Sequence, residues 1–143
     1  MTKDPSLYVL DTSVILTVAL QQKGHERAEK LLFLKDTYKI SVLLPEIFRF
    51  EFFNILGREI GKEGAMEAYK VFMERQVSFV PFEGDLAESA LRLMKKYPKI
   101  SFYDAAFHAL AKAYDTYFIT MDEKYFAMTK KEGHVMLLGD LEE

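Results

Sequence analysis

Short apolar runs of four or five residues recur along this chain, and between them lie longer segments whose apolar residues return every three or four positions. The first pattern suits a buried strand and the second an amphipathic helix. The runs are LYVL at 7–10, ISVLL at 40–44, VSFV at 77–80, YFIT at 117–120 and VMLL at 135–138. The intervening pattern predicts helices over 13–22, 25–35, 45–61, 64–75, 85–97, 101–113 and 123–131. Breakers fall at the joints. Gly24 closes the first helix, Pro45 suits the first turn of the third, Pro81 stops a strand, and Gly133 ends the last helix. Asp85 and Ser101 are expected caps. Strands that alternate with helices pair in parallel through helical crossovers. The expected fold is therefore α/β, a three-layer α/β/α domain with a short central parallel sheet flanked by helices.

Composition narrows the function. The 143 residues fit one domain, and with half of them hydrophobic and 14% aromatic, disorder is excluded. There is no cysteine, which rules out disulfides and thiolate metal sites. No apolar run approaches the roughly 20 residues of a membrane span. No secretory segment follows MTKDPS at residues 1–6. A soluble, cytoplasmic protein with no membrane partner is expected. The net charge of -3 argues against gripping long nucleic acid by charge alone. A nuclease stays open: withdrawing four of the 22 acids to hold metal leaves 18 against 19 bases, net +1.

In parallel α/β sheets the functional crevice lies beyond the carboxyl ends of the strands. Asp11, in YVLDTSVIL, follows a strand directly, and so does Asp122, in YFITMD. Each could simply cap the helix that follows. Asp104, in SFYDAAFHALA, stands three residues after Ser101, the spacing of a capping box. Glu51 resists that reading. It lies within PEIFRFEFFNILGREI, where Phe48, Phe52, Ile55 and Leu56 make one apolar face and Phe50, Phe53 and Ile60 another. Glu51, Asn54 and Arg58 form a narrow polar stripe between them. A carboxylate buried there needs a partner, which is Arg58, Asn54 or a metal. The two apolar faces suggest that one meets the core and the other a second subunit.

Taken together, Asp11, Glu51, Asp104 and Asp122 would crowd one crevice and resist ionising together unless divalent cations were present. Mg²⁺ and Mn²⁺ prefer oxygen ligands. A site of this kind activates a water and stabilises charge on a phosphodiester. Ser13 and Thr120, with Asn54, are placed to orient the carboxylates or bound waters.

The parts LDTSVIL, PEIFRFEFFNIL, ISFYDAAFHALAKAYDTYFIT and ITMDEKYF, in this order and spacing, resemble the PIN domain. The match is specifically to the VapC-type toxin ribonucleases of toxin–antitoxin systems, and it spans nearly the whole chain. The resemblance implies a single PIN-like nuclease domain over 1–143. Its metal-binding acids would be Asp11, Glu51, Asp104 and Asp122, and its common hydroxyl positions Ser13 and Thr120. It implies a Mg²⁺- or Mn²⁺-dependent endoribonuclease, a homodimer, inhibited by a small antitoxin that covers the crevice. Arg49, Arg58 and Lys124 flank the acids and are candidates for holding the backbone of a single-stranded or looped RNA. Tyr103 and Tyr125 lie beside site residues and could stack on a base.

Other residues carry less. His108, one turn after Asp104, reads as a core or supporting residue rather than a ligand. His25 and His134 read as surface residues, and Lys95, Lys96 and Lys99 as a solvated face. A haloacid-dehalogenase-type phosphatase would need a second Asp two places after Asp11, where Ser13 stands. A receiver domain would need an Asp at the end of the strand that Pro45 closes. A PIN-like domain that binds RNA or scaffolds without catalysis remains the alternative.

Overall fold

The computed structural model describes residues 7–21, 41–74 and 77–140. Its five strands are β1 (Leu7–Leu10), β2 (Ser41–Pro45), β3 (Val77–Val80), β4 (Tyr117–Thr120) and β5 (Val135–Leu137). They form one sheet in the order β3-β2-β1-β4-β5, with every neighbouring pair parallel. Helices α1 (Thr12–Ala19), α2 (Ile47–Met73), α3 (Gly84–Lys96), α4 (Phe102–Ala113) and α5 (Glu123–Thr129) flank the sheet and complete the α/β/α layers. The central strands are apolar at nearly every position because both faces are covered. Val9, Leu10, Leu44, Phe118 and Ile119 have no exposed surface.

The chain enters at the middle of the sheet with β1, steps outward to β2 and β3, then crosses back to lay β4 on the other side of β1. That reversal opens a crevice between the carboxyl ends of β1 and β4. The Asp11 N–H donates to the Ile119 carbonyl at 2.8 Å, so the β1–β4 pairing continues one residue past the strand. Helix α4 packs across β1, β2 and β4, with α3 alongside it. Every residue from 105 to 111 is buried, which explains why four of these seven positions are alanine.

Helix α2 carries the other large part of the core. Phe48, Phe52 and Leu56 are fully buried, and the Phe48 ring lies 5.4 Å from Phe52 and 5.5 Å from Phe72. The helix is interrupted at Gly61, whose φ of 79° is costly for any residue with a side chain. The two helices expected at 45–61 and 64–75 correspond to the segments on either side of that break.

Local details differ from the sequence expectation. Pro45 ends β2 instead of opening a helix. It lies beyond the β1–β2 ladder, where its missing N–H leaves no bond unmade. Helix α3 starts at Gly84 with Glu83 in the cap position, so Asp85 sits in the first turn, where its charge suits the helix dipole. Helix α1 ends at Ala19 rather than 22, and Leu138 opens a short 3₁₀ turn, Leu138–Asp140, instead of ending a strand. The helix expected at 25–35, with Gly24 and His25, lies outside the described residues.

Candidate active site

The crevice between β1 and β4 is lined by groups that local geometry delivers there. Asp11 is both the first residue past β1 and the N-cap of α1. Its Oδ1 accepts the Ser13 N–H at 3.4 Å, and its Oδ2 accepts the Thr120 hydroxyl at 2.7 Å. Thr120 closes β4, and its Oγ1 also accepts the Asp122 N–H at 3.1 Å. One buried hydroxyl therefore ties together the two strand ends that carry Asp11 and Asp122. Asp122 caps α5 through Oδ1, which accepts the Tyr125 N–H at 2.9 Å.

Asp104 comes from the first turn of α4, where the Ser101 Oγ accepts its N–H at 3.1 Å. Glu51 comes from the second turn of α2 and accepts the Thr12 hydroxyl at 2.9 Å. Neither expected partner holds it: Asn54 and Arg58 are both exposed on α2. Thr12 was not singled out in the sequence. Its only signal there was membership of the polar run Asp11-Thr12-Ser13 in an otherwise apolar stretch. The Ser13 hydroxyl lies close to Asp11 but makes no well-formed hydrogen bond, and its oxygen is buried.

Electrostatics join the four acids more tightly than hydrogen bonds do. Asp104 is pushed up to about 7 by burial and then by the charges of Asp11, Asp122 and Glu51, against the pull of its Ser101 bond. Burial also raises Asp11, opposed by the Thr120 and Ser13 bonds and helped by Asp122. Glu51 is raised by burial and by Asp11, and its Thr12 bond opposes that. Among the described residues no lysine, arginine or histidine forms an ion pair with any of the four. No three of them, as placed, converge closely enough to grip one ion. Like charges with nothing between them repel.

The remaining candidates separate clearly. Arg49 stacks on Phe79, its guanidinium carbon 3.9 Å from the ring centroid, and its Nε is buried without a hydrogen bond. Arg58 and Lys124 are exposed. Tyr103 is exposed, but Tyr125 is fully buried and cannot stack on a base. His108 is buried with both ring nitrogens engaged, Nδ1 at 2.7 Å from the Tyr125 hydroxyl and Nε2 at 2.8 Å from the Gly133 carbonyl. That leaves it no lone pair for a metal. Lys96 joins Glu132 at 2.8 Å, and Lys95 and Lys99 are exposed.

A sequence model of the PIN domain family matches residues 8–131. The chain belongs to the PIN domain family. No curated protein matches it by sequence. Solved structures share the PIN domain fold at low identity. VapBC2 from Rickettsia felis, bound to a DNA fragment from its promoter, superposes with a TM-score of 0.70 at 15% identity, covering 92% of this chain and 96% of that one. A toxin–antitoxin complex from Klebsiella pneumoniae gives 0.68 at 16%, covering 92% and 97%. VapC20 of Mycobacterium tuberculosis, a sarcin–ricin loop cleaving toxin, gives 0.70 at 20%, covering 84% and 93%. Among the described residues of this PIN domain, no helix is long and apolar enough to cross a membrane.

Proposed function

We propose that this protein is a Mg²⁺- or Mn²⁺-dependent endoribonuclease, one nuclease domain acting as the cytoplasmic toxin of a VapBC-type toxin–antitoxin pair. The observation that carries this reading is the set of four mutually repelling carboxylates at one strand-end crevice with no cationic partner among the described residues. The donor set fits a divalent cation, because hard carboxylate oxygens are what such ions bind and an external charge is what the cluster lacks. Asp11, Glu51, Asp104 and Asp122 would hold it partly through its own waters, since no three of them converge on one point as placed. Bound there, the ion would neutralise the crowded acids, activate water and offset charge developing on a phosphodiester.

The chain's own groups do the positioning. Thr120 fixes one oxygen of Asp11, and Thr12 fixes one of Glu51. Ser13, buried beside Asp11, is available to a bound water. Arg58 and Lys124, exposed on the elements that bring Glu51 and Asp122, would meet RNA phosphates. Arg49, stacked on Phe79, is less free to do so. A single-stranded or looped RNA is favoured, in keeping with the activity named for the M. tuberculosis neighbour. A small antitoxin is favoured by the toxin–antitoxin neighbours. A homodimer is favoured by Phe50, 76% exposed, and Ile60 on the outer face of α2.

The deciding experiment is cleavage of a mixed single-stranded RNA pool with Mg²⁺, Mn²⁺ or EDTA, comparing the wild type with Asp11→Asn and Asp104→Asn. Both substitutions keep size and remove one charge. Metal-dependent cleavage that both folded variants lose is the expected result. A folded, antitoxin-free wild type that neither cuts RNA nor binds a divalent ion by calorimetry would leave only a non-catalytic RNA-binding or scaffolding domain.

A further inference from the structure

Helices α4 and α5 each deliver one acid to the crevice, Asp104 and Asp122, and capping fixes each acid only to its own helix. What sets one helix against the other is a buried side-chain pair. His108 stands one turn after Asp104 on α4 and has no exposed surface. The Gly133 carbonyl can only accept, so the imidazole proton sits on Nε2 and Nδ1 is left to accept the Tyr125 hydroxyl at 2.7 Å. Burial lowers the His108 pKa, in keeping with a neutral ring. Tyr125 is itself 2% exposed, and its N–H is the group that Asp122 Oδ1 accepts. A path from Asp104 to Asp122 therefore runs through one helical turn, the His108–Tyr125 bond and the Asp122 cap. Among the described residues the His108–Tyr125 bond is the one polar contact between α4 and α5. Phe118 from β4 packs against both rings and holds them in place.

We infer that His108 and Tyr125 are positioning residues: their buried hydrogen bond sets the spacing of Asp104 and Asp122, and with it the affinity of the crevice for a divalent cation. The inference rests on the nuclease reading above and adds to it two residues that touch neither ion nor RNA. A pair that served only the core would affect stability alone. Groups that orient ligands typically change metal affinity by 10-fold or more when lost.

The test is Mn²⁺ titration by calorimetry of the wild type, Tyr125→Phe and Thr116→Val, with each melting temperature recorded. Both substitutions delete one buried hydroxyl, and Thr116 donates to the Leu7 carbonyl at the start of β1, away from the acids. The expected result is a comparable loss of stability in both, with Mn²⁺ binding about 10-fold weaker in Tyr125→Phe only. Equal Mn²⁺ affinity in the two variants overturns the inference and leaves the nuclease reading standing. No Mn²⁺ binding by the wild type overturns both. Should Tyr125→Phe not fold, His108→Asn and His108→Gln replace it. Asn keeps an acceptor near the Nδ1 position, whereas Gln keeps only the donor toward Gly133. Weaker Mn²⁺ binding in Gln than in Asn supports the inference, and equal binding overturns it.

Discussion

Glu132 and Asp104 are carboxylates on opposite terms with their surroundings. Glu132 accepts the Tyr97 hydroxyl at 3.0 Å and pairs with both Lys96 and Lys112. Burial works against its charge, yet the Lys112, Lys96 and Tyr97 bonds hold it down to about 2. Asp104 has no cation beside it: Ser101 bonds it and pulls it down, but burial and three other acids press it up. It is pushed up to about 7. A carboxylate that serves the fold is supplied with cations by the fold. One left among like charges is kept ready for a cation from outside.

The sharpest way to break that contrast is to remove one charge from the crevice and read activity. Asp11→Asn is expected to lower RNA cleavage by about a thousandfold, comparable to losing a principal electrostatic group in other active sites. Its fold should survive, since Asn also caps helices. Retained cleavage in a folded Asp11→Asn protein would show that the crowded acids are structural after all.

The next largest effect is on stability without metal. Asp104 binds its proton more tightly in the fold than in the unfolded chain. Between about pH 4 and pH 7 the folded state therefore holds the extra proton, and stability falls as pH rises. The penalty at neutral pH is on the order of 2 kcal/mol after allowing for solvent screening. Thermal melts in EDTA should show Asp104→Asn more stable than wild type at pH 7.5 and little different at pH 4. Mn²⁺ should stabilise the wild type and reverse its pH trend.

Glu132 should behave the other way. Its contribution is fully present above about pH 4.5 and is lost as pH falls toward 2. Glu132→Gln is expected to cost about 1 kcal/mol at pH 7, because its lysine partners are partly exposed. Mn²⁺ affinity should not change, and calorimetry on the same variant checks both points. The smallest effect is expected from Thr12→Val, which keeps shape and removes the donor to Glu51. A loss of about 1 kcal/mol by denaturant unfolding, with cleavage reduced only several-fold, would place Thr12 as a support for Glu51.

Much of the frame is legible in local sequence. The five apolar runs became the five strands within a residue or two of their expected ends, because burial on both faces writes itself as an unbroken apolar run. Capping is equally local: Asp11, Ser101 and Asp122 all cap the helices that follow them. Pro45 and Asp85 were misplaced by a residue or so, because turn chemistry marks a helix start only to that precision.

Partner identity was not legible. Asn54 and Arg58 have the right spacing to reach Glu51 along one helix, yet the bond comes from Thr12, 39 residues away in sequence. Thr120 reaches Asp11 across 109 residues. Tyr125 stands beside Asp122 in sequence, where it could stack on a base, but the tertiary structure buries it against His108. The sequence by itself determined the alternation of strand and helix, the parallel sheet and the four acids at or near element ends, since each depends on residues within a turn or a strand of one another. Only the tertiary structure decided which hydroxyl meets which carboxylate, which tyrosine faces inward and which acid goes without a cation. Those outcomes depend on the order β3-β2-β1-β4-β5, which brings distant segments together.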